Sequence, residues 1–383
     1  MATFTDHDRR ALRAVAVQFL INGVVFASFL PRLPEIRDRV GVDLGRLGLL
    51  LTLGTLGGFV GSWLSGPMAE RLGTKTMITI GSGGLIVSLP IIGLADTQVV
   101  LLLGLVLMHL FDVVTDVGMN LQGSWLSARR HAPVMNRLHG LWSLGTVVGG
   151  LAATVVAAQG LSIRTHLLVV ALILLATFVY VVPGLLAVDE SPTAVAVTDS
   201  PSPRPNRSLA LTFAVLAVGA IAVEIVPNDW STFRLATDFD VSAGWAGFGF
   251  VAFTTGMVGG RFSGDAVLAR LGHDRLLDLA LVFTGVGLAA ATLIPSDIAA
   301  VIGFFVAGLG VAVLFPRLYD RAAQAPGRPG AVLGAMTAGI RAGAFALPVT
   351  VGALASTDAV SVGGAMAIVT LPAVVLLAAL RRR

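Results

Sequence analysis

Twelve stretches of this chain are long and apolar enough to cross a lipid bilayer, and granting them leaves little freedom in the fold. Hydrocarbon offers backbone N–H and C=O groups no water, so a spanning segment must bond to itself as a helix. Such a helix needs about 20 mainly apolar residues. Segments 14–30, 44–65, 76–94, 98–121, 137–158, 165–187, 209–229, 244–263, 276–294, 298–317, 332–354 and 360–380 qualify. Charged residues are 13% of the 383, about half the roughly 25% of a soluble domain, and they gather between these segments. Mean hydropathy is +0.87. The expected fold is an all-α integral membrane protein of about 12 transmembrane helices.

Six segments precede and six follow the Pro/Ser-rich stretch Asp189–Arg207, which holds Pro192, Pro201, Pro203 and Pro205. That composition reads as a linker. The expected organisation is a six-helix half at 1–188, a cytoplasmic linker at 189–207 and a second six-helix half at 208–383. The halves echo each other at an offset of 199 residues. Val42, Gly45 and Gly48 return as Val241, Gly244 and Gly247; Thr55, Gly57 and Gly61 return as Thr254, Gly256 and Gly260. Arg71-Leu72-Gly73 returns as Arg270-Leu271-Gly272. Two membrane-embedded halves of similar fold are a transporter architecture.

Charge and composition exclude other classes. There is no cysteine, so no disulfide, thiolate metal site or cysteine nucleophile exists. The sequence pI of about 10.5 comes from arginines flanking apolar spans, which act as orientation signals rather than a nucleic-acid surface. Arg9, Arg10, Arg13, Arg71, Lys75, Arg129, Arg130, Arg204, Arg207, Arg270, Arg275, Arg321, Arg328 and Arg381 all fall at the termini or in even-numbered gaps. Both termini are therefore expected on the cytoplasmic side. The run 14–30 is too long for a signal-peptide core and reads as the first span.

The loop after the second span reads Gly66-Pro-Met-Ala-Glu70-Arg71-Leu-Gly73-Thr-Lys75. It resembles the signature loop of the major facilitator superfamily, Gly-x-Leu-Ala-Asp-Arg-x-Gly-Arg-Lys, with Glu70 for the usual aspartate and Thr74 for the usual arginine. A degenerate copy runs Gly260-Arg261-Phe-Ser-Gly264-Asp265 through Arg270-Leu-Gly272. The resemblance covers the whole chain and implies the major facilitator fold, two pseudo-symmetric halves working by alternating access. It implies a cytoplasmic gate at Gly66, Glu70, Arg71, Gly73, Lys75, Arg261, Asp265 and Arg270. Carboxylates near helix N-termini and cations near C-termini are favourable at both ends. A positive-inside signal alone is the alternative reading.

Polar residues at membrane depth are costly and mark function. In the fourth span His109, Asp112, Asp116 and Asn120 lie three to four residues apart, on one helix face. Two carboxylates one turn apart cannot both hold a charge cheaply, a property suited to proton coupling. Asp112, Asp116 and, in the seventh span, Glu224 are the proton-coupling candidates. Gln18 and Asn22 sit one turn apart in the first span, Asn228 one turn beyond Glu224, and Arg341 in mid-span, where it needs a carboxylate partner or an anionic substrate. Gln18, Asn22, His109, Asn120, His139, Trp142, Asn228 and Arg341 are the expected substrate-binding residues. Trp230 reads either as a sugar-stacking ring or as an interfacial anchor.

The run Asp116-Val-Gly-Met-Asn120 followed by His139-Gly-Leu-Trp142-Ser-Leu-Gly145 resembles a bacterial subfamily that includes rhizopine-transport proteins and sits near the fucose permeases. That resemblance implies a bacterial inner-membrane protein and site roles for Asp116, Asn120 and His139. A helix-4 carboxylate is implicated in proton coupling in fucose permeases, and the extra Asp112 leaves open which aspartate holds that role. The expected function is a proton-coupled carrier of a small polar, sugar-like solute, acting as a monomer with no cofactor or metal. A drug/proton antiporter is the alternative; exporters carry Gly-Pro-x-x-Gly-Gly where this chain has Gly145-Thr-Val-Val-Gly149-Gly150, without the proline. An enzyme is not expected: an intramembrane aspartyl protease needs acids on two helices, one in a Gly-x-Gly-Asp run, whereas this chain has no such run and Asp112 and Asp116 share one helix. No P-loop occurs, so ATP-driven transport is not expected either.

Overall fold

The computed structural model describes residues 4–132, 134–187, 207–324 and 329–378. Among them there is no strand. The helices are α1 (Asp6–Phe29), α2 (Leu33–Val40), α3 (Leu44–Gly54), α4 (Leu56–Gly93), α5 (Gln98–Arg130), α6 (Met135–Ala158), α7 (Ile163–Val181), α8 (Arg207–Asp238), α9 (Ala243–Ala246), α10 (Phe248–Leu293), α11 (Asp297–Ala323), α12 (Pro329–Ala355) and α13 (Val362–Ala378). Nine helical stretches of the described residues are long and apolar enough to cross a membrane, and Val362–Ala378 is a shorter apolar helix. Part of the difference from twelve lies in Leu44–Gly93, which holds the second and third expected spans in one stretch, and part in Val362–Ala378. Gly73 in α4 (φ 75°) and Gly272 in α10 (φ 77°) have non-helical backbone where two spans abut. Only glycine adopts that conformation without a Cβ penalty. The chain is therefore an all-α membrane protein.

The chain divides into two compact units, Met1–Val42 with Leu53–Ala194, and Asp43–Thr52 with Val195–Arg383. The segment 43–52 thus packs in the second unit although it belongs to the first half of the sequence. There Thr52 Oγ1 donates to Phe345 O (2.9 Å) and accepts from Val349 N (3.1 Å). Its hydroxyl is spliced into the backbone ladder of α12 beside Pro348, the kind of insertion that bends a helix. Of the expected linker 189–207, all but Arg207 lies outside the described residues.

The repeat at offset 199 is physical. A Cβ added at Gly57 would run into Val106 O, and one at Gly256 into Phe305 O, which is Val106 shifted by 199. Gly61 lies against Leu110 O and Gly260 against Leu309 O, again 199 apart. Glycine lets backbones approach closely in lipid, so α4 meets α5 as α10 meets α11. Helix starts repeat too. Thr97 caps α5 and Ser296 caps α11, each accepting from the N–H three residues on; Ser162 does so for Thr165 and Ser361 for Gly364. Such caps satisfy N–H groups that helices leave unpaired.

Each unit also carries a buried charged clamp. In the first, Arg32 (3% exposed) donates to Glu35 Oε2 through Nε (2.9 Å) and Nη2 (2.5 Å), and through Nη2 to Leu161 O (2.6 Å). Glu35 Oε1 accepts from Ile163 N (3.2 Å) at the start of α7, and Arg39 donates to Gly93 O (2.8 Å) at the end of α4. In the second unit Arg234 does both jobs. It donates to Asp238 Oδ2 (2.6 Å), to Ala291 O (3.1 Å) and to Ile294 O (3.0 Å) at the end of α10. Asp238 accepts from Val362 N (3.1 Å) and Gly363 N (2.8 Å) at the start of α13.

Candidate functional site

In the first unit, α1, α5 and α6 bring three of the sequence candidates together. Asn22 Nδ2 donates to Asp112 Oδ1 (2.9 Å), and Trp142 Nε1 donates to Asn22 Oδ1 (2.8 Å). The indole has only a donor and a carboxylate only acceptors, so this chain of bonds fixes the Asn22 amide in one orientation. It works because α6 lies flush on α1: a Cβ at Gly23 would strike Trp142 O, and one at Gly145 would strike Leu20 O. Without those glycines Trp142 could not reach Asn22. Asp112 is half-buried, and among the described residues it has no ion-pair partner.

The rest of the α5 stripe is arranged around this trio. His109 Nδ1 bonds Leu105 O (2.9 Å) and its ring lies edge-on to Phe26, 5.9 Å between centroids. Asp116 is exposed and accepts from Asn120 Nδ2 (2.8 Å). His139, also exposed, lies edge-on to Phe19 at 5.2 Å. Gln18, one turn from Asn22, is 0% exposed with neither amide atom hydrogen-bonded.

In the second unit Glu224 of α8 faces Arg261 of α10 at 3.9 Å, with side chains 20% and 30% exposed. Arg261, expected in the loop gate, thus reaches back to a mid-helix carboxylate. Asn228 Nδ2 donates to Glu224 O (2.9 Å). Next to it Pro227 interrupts α8, freeing the Val223 carbonyl from its usual ladder bond. Arg341 is half-buried in α12. Trp230 is 0% exposed and packs on Phe233, which corrects its reading as an interfacial anchor.

The loop residues divide in two. Glu70, Arg71 and Arg270 are exposed, as is Gly66. Gly73 is buried, and Lys75 Nζ reaches Pro183 O at 3.4 Å. The side chain of Asp265 lies outside the described residues. Two loop contacts escape sequence reasoning. Gln122, 0% exposed, donates to Thr74 Oγ1 (3.0 Å) and Leu186 O (3.0 Å) and accepts from Leu186 N (3.1 Å). Arg317 bonds His273 Nδ1 (2.5 Å), just past Gly272. A lone glutamine in an apolar helix and a histidine in a basic loop carry no spacing signal.

The arrangement offers a membrane-embedded carboxylate with a fixed amide donor, hydrogen-bonding groups on three helices and no metal-binding cluster among the described residues. That suits binding and release of a polar solute. Residues 15–316 match the family model of the Major Facilitator Superfamily. The chain is 27% identical over 350 residues to an MFS-type transporter of Yersinia pestis, covering 90% of this chain and 88% of that one. It is 28% identical over 315 residues to the membrane protein MosC of Rhizobium meliloti, covering 82% and 75%. Among solved structures, a D323A mutant of the nucleoside transporter NupG superposes with a TM-score of 0.75 at 13% identity, covering 97% of this chain and 98% of that one. The human organic anion transporter MFSD10 superposes at 0.65, with 15% identity and coverage of 97% and 99%. The chain belongs to the major facilitator superfamily and is a multi-pass membrane transporter of small molecules.

Proposed function

We propose that this transporter is proton-coupled and carries a small polar, sugar-like solute by alternating access across a bacterial inner membrane, acting as a monomer with both termini cytoplasmic. The observation that carries the reading is the Trp142–Asn22–Asp112 chain of hydrogen bonds. A carboxylate within a span is expensive and needs a task. Asn22 donates to Asp112 in either protonation state, because a protonated carboxyl still keeps a carbonyl acceptor. Protonation therefore removes a charge while leaving the link from α5 to α1 intact. A solute hydroxyl meeting the free oxygen of Asp112 finds an acceptor when the group is ionised and a donor when it is protonated. Solute affinity and proton occupancy are then linked, and by reciprocity each changes the other. Glu224, only loosely paired with Arg261 at 3.9 Å, is the matching candidate in the second half.

The polar load of the site favours a polyhydroxylated solute over a lipophilic one. NupG, whose fold this chain shares, is a nucleoside transporter, so nucleosides belong beside sugars and polyols among the solutes to be offered. The test uses proteoliposomes loaded with a pH-sensitive dye. Adding sugars, polyols or nucleosides should move protons together with the solute, and Asp112→Asn should abolish that movement. Proton movement on adding lipophilic cations but none of the polyols would establish the exporter alternative instead.

A further inference from the structure

Helices α1 and α5 run antiparallel and meet in rungs. Asp8 bonds Arg129 at 2.9 Å, Asn22 bonds Asp112 at 2.9 Å, and Phe26 lies edge-on to His109 at 5.9 Å. From Asn22 to Phe26 four residues of α1 are matched by three of α5 in reverse, and from Asp8 to Asn22 the long Arg129 side chain spans the remainder. The rung below Asn22–Asp112, on the side of Arg129, is therefore Gln18 opposite Asp116. α6 runs parallel to α1 and supplies one group per rung: Trp142 bonds Asn22, and His139 packs on Phe19, the neighbour of Gln18. One level is the bonded trio Asn22–Asp112–Trp142; the next holds Gln18, Asp116 and His139 at matching heights on the three helices.

The levels differ in access. Asp112 is half-buried and held by Asn22; Asp116 is exposed and, among the described residues, held only by Asn120 of its own helix. Gln18 is fully buried with both amide atoms unpaired, and an unsatisfied buried amide is destabilising. The groups around the ladder are few. α1 has no charged residue between Arg13 and Arg32; α5 adds His109 and α6 adds Arg137 and His139. The charged residues of α4 are Glu70, Arg71 and Lys75. Among the described residues neither aspartate has a cationic partner to lock its charge in place.

We propose that Asp112 and Asp116 are successive stations of one proton route along α5, with Asp116 the outer station, and that Gln18 is the positioning residue of that station. The proposal rests on the proton-coupled reading. In the step itself the Asp112 carboxyl gives its proton to a bridging water, which passes one on to the Asp116 carboxylate. One carboxyl O–H breaks, one forms, and one negative charge moves up one turn of α5. Gln18 offers its N–H to the Asp116 carboxylate before the transfer and to the carbonyl oxygen that the protonated Asp116 keeps after it.

The test needs no transported solute. Reconstituted protein is subjected to a pH jump while carboxyl stretching bands are followed by time-resolved infrared spectroscopy, with Asp112→Asn and Asp116→Asn assigning the bands. Asp116→Asn should leave the Asp112 band able to respond fully but slow it about tenfold or more, since each tenfold corresponds to about 1.4 kcal/mol. Asp112→Asn should leave the Asp116 response as fast as in the unaltered protein. Gln18→Ala should slow the Asp112 response without removing either band, and Gln18→Asn should restore part of the rate, which a purely structural glutamine would not do. Equal rates for Asp112 with and without Asp116, or slowing in the reverse order, would overturn the ladder while leaving proton coupling intact. Two carboxyl bands that never respond to pH would overturn the proton-coupled reading itself, and the ladder with it.

Discussion

Replacing Asn22 by leucine tests the site most directly, because one side chain carries two of its bonds. The change removes the bonds that Trp142 Nε1 and Asp112 Oδ1 make to Asn22. In soluble proteins a buried group left unsatisfied costs about 1–3 kcal/mol. Interhelical hydrogen bonds in membranes are weaker on average, about 0.6 kcal/mol with a maximum near 1.7, because the unfolded chain also finds partners there. Two lost bonds, one of them to a carboxylate, therefore predict a loss of about 1–3 kcal/mol. Asp112→Leu alone strands the Asn22 amide and should cost a similar amount. Once Asn22 is gone, however, deleting Asp112 removes an uncompensated polar group, so the double variant should be less damaged than the sum. The expected coupling energy is about 1–2 kcal/mol, above the few tenths seen for independent sites. The measurement is unfolding in mixed micelles followed by tryptophan fluorescence, with Trp142→Phe as a third variant for the other bond. Strict additivity of Asn22→Leu and Asp112→Leu, together with a Trp142→Phe variant as stable as the parent, would refute the bonded trio.

The repeated glycine contacts predict matched damage. Gly57→Val and Gly256→Val press a side chain onto the Val106 and Phe305 carbonyls, and each should cost about 1–3 kcal/mol as overpacking in thermal unfolding. Gly66→Ala, where an added Cβ meets nothing within 4 Å, should change stability by no more than about 0.5 kcal/mol. The clamps predict an asymmetry. Asp238→Asn leaves Arg234, 5% exposed, without its counter-charge and should cost about 3–5 kcal/mol. Glu35→Gln, at a carboxylate 29% exposed on its side chain, should cost markedly less; equal losses in detergent thermostability would argue against burial as the cause.

Much of the architecture was legible because lipid makes the physics simple. A run such as 98–121 has no alternative to a helix, whatever its propensities, and a glycine such as Gly73 between two apolar runs announces a turn. The close helix approaches at Gly57 and Gly256 were visible as small residues in register. What sequence could not give is which polar groups meet. Asn22, Asp112 and Trp142 lie on three helices, up to 120 residues apart in the chain, and their meeting depends on glycine contacts at Gly23 and Gly145. Arg261 sits in a loop-like motif yet its guanidinium faces Glu224. Gln122 holds Thr74 and Leu186 together with no pattern in the sequence to announce it. Trp230 looked amphipathic in one dimension and is enclosed in three.

The repeat itself sharpens where the chemistry lies. At offset 199, Asp112, Asp116, Glu224 and Arg341 fall on Val311, Phe315, Val25 and Trp142, which invites the rule that scaffold duplicates and charge does not. The clamps limit that rule. Glu35 and Asp238 both cap the start of the last helix of their unit, and the capped residues Ile163 and Val362 are 199 apart. The charged residues have slipped, Arg32 to Arg234 and Glu35 to Asp238, so alignment at a fixed offset hides them. The cause is physical. A backbone contact such as Gly57 against Val106 O tolerates no slip, because glycine must stand at one position. A long charged side chain reaches the same helix end from several positions, so the clamp survives a shift of three or four residues. Charge at the helix ends is therefore part of the duplicated frame, whatever its register. The unduplicated charges sit at mid-helix, on α5, α8 and α12, where no helix end asks for them. Those are the positions to which the proposed solute and proton roles fall, and the two units, built alike, carry them unequally.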